Sequence, residues 1–322
     1  MNNIKLLLLT LSLMVLGIFF SCKNNQQQAN HSSNNTETDK KYRFALHLVA
    51  GSKYYYTLNT QINSNLEVND KKIETENNSA IGMQYDINKD TADNFLLKIT
   101  YDKFHIVLKK TDTEDQVIDA DNAVNSGDEV EKILSNIKGS SILITLNSKG
   151  NIINISGNKQ INDKIMAGVA MDDLKTKKMI EEMVWKLTGD DFIKNNLQQS
   201  FSQFPDSAIT IGDSWNKKVK QTADITFEGN AKYTLSSIED GVVITEMETD
   251  IQNDKNSPAI IMGYPVSTDL SGTQTATFKT DQATGFLLYS KTNTNVKGSI
   301  SVVGKEVPVT IKIKKEITVT KI

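Results

Sequence analysis

One cysteine, three histidines and four prolines are all that this 322-residue sequence holds of the residues that usually carry redox, metal and turn chemistry. With no second Cys, an intrachain disulfide and a thiolate-bound zinc are excluded. His31 lies in a polar stretch. His47 and His105 sit on strand faces opposite Leu46/Leu48 and Ile106/Leu108, as solvated or locally hydrogen-bonded strand histidines do. No Gly-x-Ser-x-Gly context supplies a nucleophile, and no cofactor pattern is present. A membrane-spanning run is also lacking: "LLLLTLSLMVLGIFF", residues 6–20, reaches only ~22 Å as a helix, short of a ~30 Å hydrocarbon core. Nor is there a basic block. The formal charge is −3, which argues against a nucleic-acid partner.

What is present begins at the amino terminus. The apolar run follows Lys5 and leads to Ser21 and Cys22, the arrangement of a secretory signal. "FFSC" resembles a bacterial lipobox, in which a small residue precedes a cysteine that receives lipid. Ser21 fits the small position, and Phe19 replaces the usual Leu, a departure tolerated in lipoboxes of Bacteroidota. The resemblance implies that residues 1–21 are a lipoprotein signal peptide and that Cys22 is the site of lipid attachment. The implied partner is then the outer membrane. Lys23 stands where surface-displayed lipoproteins carry acidic residues, which favours the periplasmic face. Residues 22–41 hold almost no apolar side chain and read as a flexible polar tether, with an r.m.s. span of roughly 25 Å.

The remainder, residues 42–322, reads as a single β-rich domain. In "VPVTIKIKKEITVTKI", Val307, Val309, Ile311, Ile313, Ile317 and Val319 share one face at period 2. Lys315 interrupts that face and predicts a bulge or the rim of the sheet. Phe44, Leu46 and Leu48 predict another strand. So do Phe95, Leu97, Ile99 and Tyr101, followed by Phe104, Ile106 and Leu108. "NSKG" at 147–150, "EDG" at 239–241 and "DQATG" at 281–285 supply hairpin turns among roughly a dozen strands. "SGDEVEKILSNIKG" predicts a short helix with Ser126 and Glu129 as a capping box. A helical insert follows at about 158–204. The expected fold class is α+β: a large curved, mostly antiparallel β-sheet with a short helix and a central group of helices packed on one face.

"FPDSAITIGDSW", residues 204–215, resembles a segment that recurs in an uncharacterised family of Bacteroidota lipoproteins, where helices end at Phe-Pro and a Gly-Asp-Ser/Thr-Trp turn opens a strand. Together with the lipobox and tether, this resemblance covers most of the mature chain. A curved sheet with helices on one face is also similar, in architecture only, to the lipoprotein-carrier and lipoprotein-receptor fold. Members of that fold hold acyl chains between sheet and helices.

Other motifs fail on inspection. Ser135 to Lys138 matches Ser-x-x-Lys without the motifs that accompany it in serine acylases. Counted from Asp86, the glycine and glutamate positions of a calcium loop hold Thr91 and Leu97, so no metal site is expected there. The acidic stretch 112–131 reads as a solvated loop leading to a helix start. Met166, Met171, Met179, Met183, Trp185, Phe192, Phe201 and Phe204 suit an adaptable apolar pocket, although such residues are more often helix-on-sheet core. Trp215 reads as a buried anchor at a strand start. The expected function is that of a non-catalytic, lipid-anchored binding module holding a lipid or other amphiphile between sheet and helices. The alternative is an interaction lipoprotein that binds another envelope protein and no small ligand.

Overall fold

The protein is described here by a computed structural model covering residues 21–23, 40–68, 71–89, 94–110, 114–120, 129–147, 150–167, 177, 181, 184–185, 188–201, 204–205, 207–221, 225–257, 259–261, 264–302 and 305–322. The strands are β1 (Ser21–Lys23), β2 (Lys53–Val68), β3 (Lys71–Lys89), β4 (Asn94–Lys110), β5 (Gln116–Asp119), β6 (Ser141–Asn147) and β7 (Ile152–Ser156). They continue as β8 (Ser214–Gln221), β9 (Phe227–Glu239), β10 (Val242–Asn253), β11 (Ala259–Ile261), β12 (Tyr264–Asp281), β13 (Leu287–Val302) and β14 (Lys305–Lys321). Among the described residues three helices complete the order: α1 (Glu129–Ile137), α2 (Asn158–Ala167) and α3 (Asp190–Phe201).

These fourteen strands join one open, curved antiparallel sheet in the order β1-β8-β9-β10-β12-β13-β14-β2-β3-β4-β6-β7, with β5 on β4 and β11 on β12. Period-2 alternation puts one side of every long strand inside. On β14, Val309, Ile311, Ile313, Ile317 and Val319 are buried while their neighbours, Lys315 apart, are exposed. The hairpins β2–β3 and β13–β14 lie side by side because β14 pairs with β2. Two turn features shape the ladders. Asp240 and Gly241 both adopt positive φ (49° and 77°), the conformation of the two-residue turn whose twist matches its flanking strands. On β4 the apolar set changes parity after Tyr101, and a bulge opposite Gly82/Met83 absorbs the extra residue, so Phe104, Ile106 and Leu108 return to the inner face.

Three expectations are corrected. The described helices do not form a central group on the sheet. α1 packs on β4 and β5, α2 on α1 and β6, and α3 on β7 and β1, so they gather where the two ends of the curved ladder approach each other. The helices lie between β5 and β8 in sequence, and short connections hold them beside those end strands. Second, residues 43–49 form no ladder strand, because β2 already has β14 and β3 on its two sides. The segment runs across the end of the sheet, tied by the Tyr42–Ile209 bridge and by the His47 amide donating to the Thr284 carbonyl, and it buries Phe44 and Leu46. Third, Lys315 marks neither bulge nor rim: the registers of β14 with β13 and with β2 run unbroken through it.

Candidate functional site

The inner face of the sheet is not apolar throughout. At mid-strand on β2, β10 and β12–β14, the inward positions become hydroxyls, an amide and one amine: Thr60, Thr245, Thr249, Gln274, Thr292, Thr294 and Lys315, all buried. The register lines them up. Lys315 stands opposite Thr292 on one side and Thr60 on the other, and Gln274 stands opposite Thr294. Gln274 Nε2 donates to Thr294 Oγ1 at 2.8 Å, and the hydroxyls of Ser64 and Thr75 meet at 2.5 Å. Lys315 is 4% exposed, and burial pushes its amine down to about 7.

Several of these groups are not satisfied by the protein. Thr245 Oγ1, Gln274 Oε1 and Thr280 Oγ1 are buried and lack a hydrogen-bond partner among the described residues. A polar atom left so costs ~1–3 kcal/mol, which marks the belt as an unusual stretch of core. On the same sheet face, β2–β4 carry stacked aromatics. Tyr54 stacks on Phe286 at 4.3 Å, Tyr56 on Tyr85 at 5.0 Å, and Tyr101 on Phe104 at 5.6 Å. Burial raises the Tyr85 and Tyr101 hydroxyls well above their usual range, so both stay neutral donors. Among the described residues the buried polar set contains no Asp, Glu or His. The belt therefore has hydrogen-bonding capacity and one amine, that of Lys315, placed opposite the Thr60 and Thr292 positions.

The outer face differs. One cross-strand row, Lys220, Glu228, Gln252, Ser271, Lys297, Thr310, Asn65 and Glu74, runs over eight strands from β8 to β3. Two shallow grooves of about 910 and 580 Å³ lie along it and share Ser271 and Lys297. The floor of the larger one approaches the backbone at Gly229 and Gly272. A Cβ at Gly272 would run into the Asn295 carbonyl of the next strand.

The other sequence candidates fall as follows. Cys22 lies in β1, where its backbone pairs with Val219 of β8. His105 is half-exposed, with Nδ1 3.2 Å from Asp119 Oδ2, and His47 is exposed. His105 is a local strand histidine, as expected, whereas His47 lies in the 43–49 segment, which forms no ladder strand. Trp215 is the anticipated anchor, buried and stacked on Tyr233 at 5.7 Å. Phe204 stacks on Phe44 at 4.8 Å, Phe192 and Met166 are half-buried, and Trp185 is 45% exposed. The helix positions Ile161, Ile165, Val184, Ile193 and Leu197 are fully packed core. Ser126, Met171, Met179 and Met183 lie outside the described residues, as do most of the tether and residues 1–20. Sequence reasoning misses the polar belt, although its signal is present: Lys315 on an apolar strand face, and Thr292 and Thr294 in the alternation of β13.

Residues 92–287 match a family of unknown function, DUF6263. The chain belongs to this family. The match runs from the start of β4 to the start of β13, so the β2–β3 hairpin and nearly all of the β13–β14 hairpin lie outside it. No curated protein matches the chain. Among solved structures it is similar to lipovitellin, described for its lipid–protein interactions, at 11% identity and a TM-score of 0.46. That likeness covers 84% of this chain, which spans only 25% of the lipovitellin chain. It is also similar to an outer membrane channel from Pseudomonas putida F1 (7% identity, TM-score 0.25, 89% of this chain and 100% of that one). A third is the translocator domain of the autotransporter NalP from Neisseria meningitidis (7% identity, TM-score 0.21, 84% and 89%).

Proposed function

We propose that this chain is a non-catalytic, lipid-anchored binding protein of the cell envelope that holds an amphiphilic ligand against the inner face of its curved sheet. The carrying observation is the buried polar belt. Gln274, Thr245 and Thr280 present polar atoms without protein partners among the described residues, on the same sheet face as the stacked aromatics of β2 and β3. An amphiphile satisfies both: its polar group takes the belt's hydrogen bonds and its apolar part lies on the rings. The ligand's place thus moves from the helix–sheet interface, whose described side chains are closely packed, to the middle of the sheet. Anchoring rests on the lipobox at Ser21–Cys22, and the outer membrane's periplasmic face rests on Lys23.

Native mass spectrometry of protein purified from its own host without added lipid tests this reading. A bound amphiphile is expected, and its occupancy should fall when Gln274→Leu removes the amide. A clean apo mass, or occupancy unchanged by Gln274→Leu, would count against it.

A second reading, an envelope interaction protein without small ligand, is favoured by the two outer grooves that meet at Lys297. In-cell cross-linking from that row would recover one recurrent protein partner, and recovery of none would dismiss it.

A further inference from the structure

The outer face of β13 and β14 carries four exposed lysines in one array: Lys291 and Lys297 on β13, Lys312 and Lys314 on β14. Lys314 pairs in register with Asn293 and Lys312 with Asn295, so the lysines are interleaved with neutral amides. The one carboxylate among them, Glu316, is engaged by the Tyr289 hydroxyl. Among the described residues, none of the four lysines lies within ion-pair distance of a carboxylate. Elsewhere on the sheet both kinds occur: Lys98, Lys103 and Lys218 also lack an ion pair among the described residues but are not gathered into one array, and other lysines are paired. Lys53 pairs with Asp86, Lys220 with Asp254, Lys232 with Glu248 and Lys255 with Asp269. An acidic chain with a formal charge of −3 has left its central outer face positive.

The dimensions select the partner. Lys291 and Lys297 are six residues apart on one strand, ~20 Å at ~3.3 Å per residue, and the two strands are ~4.8 Å apart. A single small anion would meet one or two of these ammonium groups, whereas all four together fit an extended surface of negative charge. The array sits on the outer face of the sheet, where its cross-strand neighbours are Asn293, Asn295, Thr310 and, opposite Lys291, Glu316, with no apolar wedge among them. Contact would therefore be electrostatic and peripheral, without insertion.

We propose that this lysine platform docks the domain onto the anionic head groups of a phospholipid bilayer. The proposal takes only proximity from the anchored reading above, since an acyl chain on Cys22, whose backbone pairs with Val219 of β8, would hold the body at a membrane surface.

The test uses the mature chain, residues 22–322, carrying Cys22→Ala so that no acyl chain contributes. Co-sedimentation is measured with vesicles of equimolar phosphatidylglycerol and phosphatidylcholine and with vesicles of phosphatidylcholine alone. Binding is expected only to the anionic vesicles, with release on raising the salt. Each Lys→Gln change in the platform should lower partitioning about fivefold, so Lys312→Gln with Lys314→Gln should lower it about 25-fold. Lys98→Gln, on the outer face of β4, should change it by less than about twofold. Circular dichroism confirms that each variant is folded. Three results overturn the proposal: equal sedimentation of parent and double variant, equal binding to both vesicle types, or capture by soluble dextran sulfate without vesicle binding. The last would assign the platform to an acidic polysaccharide. Occupancy of the inner belt by native mass spectrometry is read on the same double variant and should not change, so failure of docking and failure of the binding reading are separable.

Discussion

Lys315 and Thr292 face each other across the β13–β14 ladder, both buried, near the middle of the strand order. An amine on an otherwise apolar strand face is thereby held among hydroxyls rather than released to solvent at a rim.

The pH dependence of stability follows from that position. Burial lowers the folded Lys315 amine to about 7, while the unfolded side chain stays protonated to ~10.4. Between those values the unfolded chain binds more protons, so this group makes stability rise with pH; below about 7 the full cost of the buried charge is present. Lys315→Met should therefore be more stable than the parent at pH ~6.5, by ~1–4 kcal/mol. The gap should close toward pH ~10. Paired urea titrations across that range check it, and a gap that widens with pH would contradict the assignment.

Gly272 should not tolerate even a methyl group. Its Cβ would meet the Asn295 carbonyl and Val296 Cα on β13. Gly272→Ala should cost ~1–3 kcal/mol through forced backbone displacement, read as a lowered urea midpoint with an unchanged slope.

Trp215 fastens β8 to β9 through its stack on Tyr233. Trp215→Ala should destabilise by ~3–5 kcal/mol. Only Trp185 then remains of the two tryptophans, and its exposure should shift the emission maximum to the red.

Acylation at Cys22 is checked by metabolic labelling. Radiolabelled palmitate should enter the native protein and be lost with Cys22→Ala. Equal incorporation in both would remove the anchor from the proposed function.

Strand existence is legible because period 2 in β14 and β4 reports only on the local chain, and even the bulge on β4 shows as the parity change between Tyr101 and Phe104. Depth within the sheet is not legible. Whether Lys315 lies at a rim or at the centre depends on β2 and β13, and β2 is more than two hundred residues away in sequence. Alternation says which face a side chain takes, but not how far along that face the sheet still covers it. The same limit applies to Phe44, Leu46 and Leu48. Their alternation is real and the burial of Phe44 and Leu46 follows from it, but the strand they would join has no free side. The sequence patterns locate α1, α2 and α3, yet their seat at the ends of the ladder is a property of sheet curvature that no single segment encodes.

Because β14 supplies the neighbour of β2, the centre of the ladder waits for seventeen residues that a ribosome makes after every other described strand. Until they emerge, the β2–β3 hairpin has an open flank and few distant contacts to gain, so closure is slow and late.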